Sequence, residues 1–86
     1  MNVRIPSALR SYTGQEAVVT ASGTTVSAVL DDLDARYPGI RFRMVDEQSR
    51  IRPHMKVFLN DEAVRDLTTT VDPTDDLTIV QALSGG

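Results

Sequence analysis

The residues best suited to chemistry stand at the end of this chain. A largely apolar stretch from Leu77 to Leu83 passes straight into Ser84-Gly85-Gly86. Glycine has no Cβ and takes backbone angles closed to other residues, so a Gly-Gly segment can enter a channel too narrow for a substituted backbone. The carboxylate it carries is unreactive by itself. Adenylation makes it a mixed anhydride, an activated acyl group that a sulfur nucleophile can attack. Gly86 is therefore the expected covalent site. Gly85 and Ser84 are the expected tail, and Gly85 and Gly86 should project from the body with little order because they have no side chains to pack.

The other residue types offer no competing constellation. His54 is a lone imidazole with no nucleophile in reach of its sequence context, and it reads as a strand-edge residue. There is no cysteine, which removes disulfides, thiolate zinc sites, iron–sulfur clusters and cysteine nucleophiles. The G-x-S-x-G elbow, the G-x-x-x-x-G-K loop and the G-x-G-x-x-G fingerprint are missing. A chain of this kind reads as a substrate handed between enzymes, not as an enzyme, with no bound cofactor and no metal.

Composition narrows the partners. Nine basic and twelve acidic residues give a net charge of −3, and the pI is near 4.9. That argues against nucleic acid. No apolar run approaches the ~18 residues of a membrane span. Met-Asn-Val-Arg-Ile-Pro lacks the apolar region of a signal peptide. The expected location is the cytoplasm. Eight of the nine basic residues are arginines, so Lys56 is the only side-chain amine.

The elements that must position the tail are legible as one small domain, residues 1–83, followed by the tail, residues 84–86. Val3 and Ile5 alternate with Arg4, which suggests a first strand, with Pro6 where no ladder partner is needed. Ser11 to Gly14 reads as a turn and Gln15 to Ala21 as a second strand. Alternation does not settle whether Val18 or Val19 faces inward. Thr25 is a good N-cap. Val26, Val29, Leu30 and Leu33 then follow at helical spacing, with Tyr37 a turn beyond, so a helix from about Thr25 to Tyr37 should bury this face. Asp31, Asp32 and Asp34 fall on the opposite side as a solvated face, and Pro38-Gly39 ends the helix. Ile40 to Val45 suggests a short helical turn, and Asp46 to Pro53 a mobile loop. Met55 to Leu59, Ala63 to Val64 and Asp76 to Leu83 read as strands. One helix on one sheet gives an α+β class. The order β-β-α-β-β-β, with the last strand beside the first, is the β-grasp pattern. If Leu77 and Ile79 face the helix, then Val80 faces away. Pro6, Phe58, Val80, Ala82 and Leu83 then form an expected apolar patch for a partner.

The chain resembles the MoaD/ThiS family of ubiquitin-like sulfur carriers over essentially its whole length. The resemblance is carried by Val3-Arg4-Ile5-Pro6, by Ala21-Ser22-Gly23-Thr24-Thr25-Val26, by Asp32 through Ile40, by Val57 through Arg65, and by Gly85-Gly86. Asn60-Asp61-Glu62 followed by Val64-Arg65 is similar to the CysO-type branch, with QbsE-like carriers also similar. The resemblance implies a β-grasp fold with a mixed sheet and one main helix on one face. It implies an adenylating enzyme related to MoeB and ThiF that uses MgATP, and a sulfur donor or sulfurtransferase that yields a thiocarboxylate. It also implies a sulfur-accepting synthase, PLP-dependent in the cysteine-forming branch, and a metalloprotease that releases the product. Molybdopterin-synthase small subunits usually carry aromatic and proline residues before the tail, where this chain has Val80-Gln81-Ala82-Leu83. Three other readings stay open: a small subunit of molybdopterin synthase, a ubiquitin-like modifier joined through Gly86 to lysines, and a β-grasp interaction module.

Overall fold

Helix α1, Val26–Arg36, forms where the apolar spacing and the cap agree. All four of its N-terminal donors find acceptors. Ala28 N–H donates to Thr25 Oγ1 at 3.1 Å, and Val29 N–H to the Thr25 carbonyl at 3.0 Å. Val26 and Ser27 donate to the carbonyls of Thr69 and Leu67, so a distant connection completes the cap. Val26, Val29, Leu30 and Leu33 are fully buried, as their spacing requires. The segment before the helix approaches it so closely that a Cβ on Gly23 would lie 2.7 Å from the Val29 nitrogen. Only glycine fits there without moving backbone.

The computed structural model describes residues 1–82. Five strands make one mixed sheet: β1 Asn2–Arg4, β2 Val18–Thr20, β3 Met55–Leu59, β4 Glu62–Val64 and β5 Asp76–Gln81. Their spatial order is β2-β1-β5-β3-β4, with β1 and β5 parallel and the other pairs antiparallel. α1 and a short helix α2, Ile40–Met44, complete the core. Val3, Val19, Val57, Leu77 and Ile79 project from the sheet into that core. Together with α1 they bury enough apolar surface to hold a domain of this size.

Three segments differ from the sequence reading. Ser7–Thr13 is a 3-10 helix, not the end of a strand followed by a turn. Pro6 has no N–H to continue the ladder, and the Leu9 N–H turns back to the Pro6 carbonyl at 2.9 Å. Gly14, at φ 63, closes the segment by donating to the Arg10 carbonyl. The second strand is shorter than Gln15 to Ala21, and Val19 is its inward residue, at 6% exposed against 43% for Val18. Residues 46–53, expected as a mobile loop, form a hydrogen-bonded turn. Asp46 Oδ1 accepts from the N–H groups of Gln48 and Arg50, and Val45 bridges Ile51.

The aspartates on the far side of α1 fasten the helix to its neighbours. Asp32 Oδ2 accepts from the Ser22 N–H at 2.9 Å and from Arg36 Nε at 3.0 Å. Asp34 Oδ1 accepts from the N–H groups of Gly39 and Arg41. The Ser22 N–H, helped by Arg36, holds the Asp32 carboxyl below the ordinary aspartate value of 3.8. The Arg50 N–H does the same for Asp46, the Thr68 hydroxyl for Asp66, and the Thr74 N–H for Asp72. A carboxyl with a depressed folded-state pKa stabilises the fold above its unfolded pKa, and that contribution is lost as pH falls through the folded value. Melting temperature should therefore hold from neutrality to about pH 5 and fall below it. Asp32→Asn should melt below the parent at neutral pH, and the gap should narrow as acid protonates Asp32. A gap of constant size across the acid range would show that the Ser22 contact contributes nothing.

Candidate functional site

The strand that leads to the tail is the central strand of the sheet. β5 pairs with β1 from Asp76 to Thr78 and with β3 from Leu77 to Gln81. Beyond it, the Ala82 N–H donates to the His54 carbonyl at 2.8 Å. β5 is held on both sides as far as Thr78 and from the β3 side through Ala82, so pairing fixes the strand up to the last described residue. His54 is exposed and serves this end of the strand with its backbone. Leu83, Ser84, Gly85 and Gly86 lie outside the described residues.

The outward face of the sheet follows from the register. Val18, Arg4, Thr78, Phe58 and Ala63 are successive cross-strand partners, one from each strand, and make a row across all five. Val80 and Lys56 are partners in the next row towards the end of β5. Pro6 stands two residues beyond Arg4, as Val80 stands two beyond Thr78, and its backbone is still extended. The expected patch residues Pro6, Phe58, Val80 and Ala82 thus share one face. Their exposure is unequal: Val80 is 38% exposed and Ala82 is exposed, while Pro6 and Phe58 are half-buried.

Two features of this face were not in the sequence reading. Val18 extends the apolar row to β2, and two adjacent valines gave no signal for which one points out. Arg4 and Lys56 place cations among the apolar residues, and simple alternation along β1 and β3 would have found them. A third exposed apolar residue, Phe42, sits on α2, with the Arg52 guanidinium 4.6 Å from its ring centre. Among the described residues no group of three or more metal-ligating side chains converges, and no helix is long and apolar enough to cross a membrane.

A family model for ThiS matches residues 3–86. This chain belongs to the ThiS family. Within it, the sulfur carrier protein CysO of Mycobacterium tuberculosis is 41% identical over 91 residues, covering 100% of this chain and 98% of that protein. Among solved structures, CysO in the BexX/CysO complex of Amycolatopsis orientalis superposes with a TM-score of 0.92 at 41% identity, covering 99% of this chain and 98% of that one. Small archaeal modifier protein 1 of Methanosarcina acetivorans superposes with a TM-score of 0.81 at 26% identity, covering 99% and 94%. The fold of this ThiS-family chain is accordingly the ubiquitin-like β-grasp, with its mixed sheet and main helix on one face.

Proposed function

We propose that the chain is a sulfur carrier whose Gly86 carboxylate is converted to a thiocarboxylate. The observation that carries this reading is the full-length likeness to sulfur carrier protein CysO. The placement of β5 supports it, because a central strand is a fixed base for a tail that must enter another protein. The chain supplies no catalytic group and acts as the protein substrate of an adenylating enzyme of the MoeB and ThiF kind. A Gly86 carboxylate oxygen attacks the α-phosphorus of MgATP, and pyrophosphate leaves. A sulfide-level sulfur from a donor or sulfurtransferase then attacks the acyl carbon. The C–S bond forms, the C–O bond to phosphate breaks, and AMP leaves. The thiocarboxylate passes its sulfur to a biosynthetic acceptor. In the CysO-type branch this is a PLP-dependent cysteine synthase, with a metalloprotease releasing the product, and these steps belong to the cytoplasm.

The face that carries Val80, Phe58, Pro6 and Ala82 docks the adenylating enzyme. ATP–pyrophosphate exchange tests both parts. Adding the chain to its adenylating enzyme should accelerate exchange, and a chain lacking Gly86 should not. Val80→Asp should reduce exchange by about tenfold, because a carboxylate on a desolvated contact costs binding. In water the same carboxylate costs little, so its melting temperature should stay near the parent's. Unfolding of the Val80→Asp chain would place Val80 in the core. Full exchange activity would remove the face from docking.

A second reading, a protein modifier, is favoured by the likeness to small archaeal modifier protein 1. It shares the adenylation step and differs in product, an isopeptide on a target lysine in place of a thiocarboxylate.

A further inference from the structure

β4 ends at Val64, opposite Val57, while β3 runs on to Met55. Met55 and Lys56 are therefore paired with β5 alone. A cleft of about 370 Å³ opens beside this uncovered stretch, against residues 49–53. Four cations line it: Arg50 and Arg52 from the turn, Lys56 from β3, and Arg65 just past β4. No carboxylate lines it, although acidic residues outnumber basic ones in the chain by twelve to nine.

The strand wall of the cleft carries two of these cations. The β3–β4 pairing stops at Val57 and Val64, and the next residue on each chain, Lys56 and Arg65, is a cation lining the cleft one step past that last pair. Among the described residues neither has an ion-pair partner. The turn wall is held from behind. Arg50 Nε lies 3.8 Å from Asp46, and Arg52 Nε donates to the Phe42 carbonyl at 2.8 Å. A fold that gathers four cations at one opening, of which only Arg50 is ion-paired among the described residues, suits a ligand of opposite sign.

We propose that this cleft docks an extended, acidic segment of a partner protein. Three observations fit that occupant. The four cations call for several negative charges. The apolar lining from Ile51, Met55, Val57 and Val64 suits the side chains that alternate with those charges along an extended chain. The extended backbone at Met55 and Lys56, which β4 does not cover, leaves room for a chain laid alongside it, although the Met55 N–H already donates to the Arg52 carbonyl at 2.9 Å. A small free anion fits less well. Arg50, Lys56 and Arg65 are exposed and Arg52 is half-buried, so contacts to one small ion are screened by water. Several carboxylates on one chain bind together and reinforce each other.

The site does not depend on the tail chemistry, and its test reads binding alone. The full-length chain, labelled with 15N, is titrated with a peptide of about ten residues in which glutamate alternates with valine, in about 0.05 M salt. The expected result is amide shifts confined to residues 49–57 and 63–65. Lys56→Glu with Arg65→Glu should weaken binding by about tenfold or more with the melting temperature kept. Arg50→Glu, on the opposite wall, should weaken it too. Shifts elsewhere on the surface, or equal binding by the charge-reversed chains, would overturn the proposal. So would the same shifts produced by inorganic pyrophosphate alone, which would make the cleft a small-anion site.

Discussion

Replacing Leu33 by alanine is expected to lower stability by about 2–5 kcal/mol, among the largest losses any single side chain here can cause. Leu33 is fully buried as the last residue of the α1 face, one turn after Val29 and Leu30, with Leu77 and Ile79 in the same core. The truncation removes buried methyl groups and leaves a cavity that a small, single-core fold cannot close by collapse. At about 4–8 °C per kcal/mol for a domain of this length, the melting temperature should fall by about 8–40 °C. Ala35→Ser, on the exposed side of the same helix, is the control and should stay within about 0.5 kcal/mol of the parent. Thermal unfolding followed by circular dichroism measures both. A Leu33→Ala chain that melts with the parent would mean that α1 does not pack on the sheet through this face.

The parts of the fold that could be read directly are those where pattern and packing coincide. Val26, Val29, Leu30 and Leu33 repeat at helical spacing, so α1 and its buried face follow from the sequence. Leu77 and Ile79 alternate with Thr78 and Val80, so the phase of β5 follows as well. Met55 to Leu59 is bounded by Pro53-His54 and Asn60-Asp61, and β3 has those limits.

What was not legible depends on contacts between distant segments. The 3-10 helix after Pro6 is closed by Gly14 and by the Thr13 hydroxyl, which donates to the Glu16 carbonyl at 2.8 Å; nothing in the spacing of Leu9 and Thr13 distinguishes this from a strand and a turn. The turn at 46–53 looks like a polar loop because its order comes from one aspartate accepting several N–H groups. The cap of α1 uses carbonyls from Leu67 and Thr69, some forty residues away in sequence. At the candidate site, the shared face of Pro6, Phe58 and Val80 came from strand alternation, but the reach of that face to Val18 required the register. The cationic cleft was invisible because Arg50, Arg52, Lys56 and Arg65 meet only through the turn and the short β4.

Conversion of Gly86 is the central claim, and its loss should be total, not partial. Among the described residues the buried core runs from Val3 to Ile79. Deleting Gly86 should leave the melting temperature unchanged while abolishing the chemistry, because no other carboxylate is proposed to enter the adenylating site. The most direct measurement is intact-mass spectrometry of the chain after incubation with its adenylating enzyme, MgATP and a sulfur source. Exchange of one carboxylate oxygen for sulfur should add about 16 Da, and fragmentation should place the gain on Gly86. A gain that persists after Gly86 is deleted, or that maps to any other residue, would contradict the sulfur-carrier account.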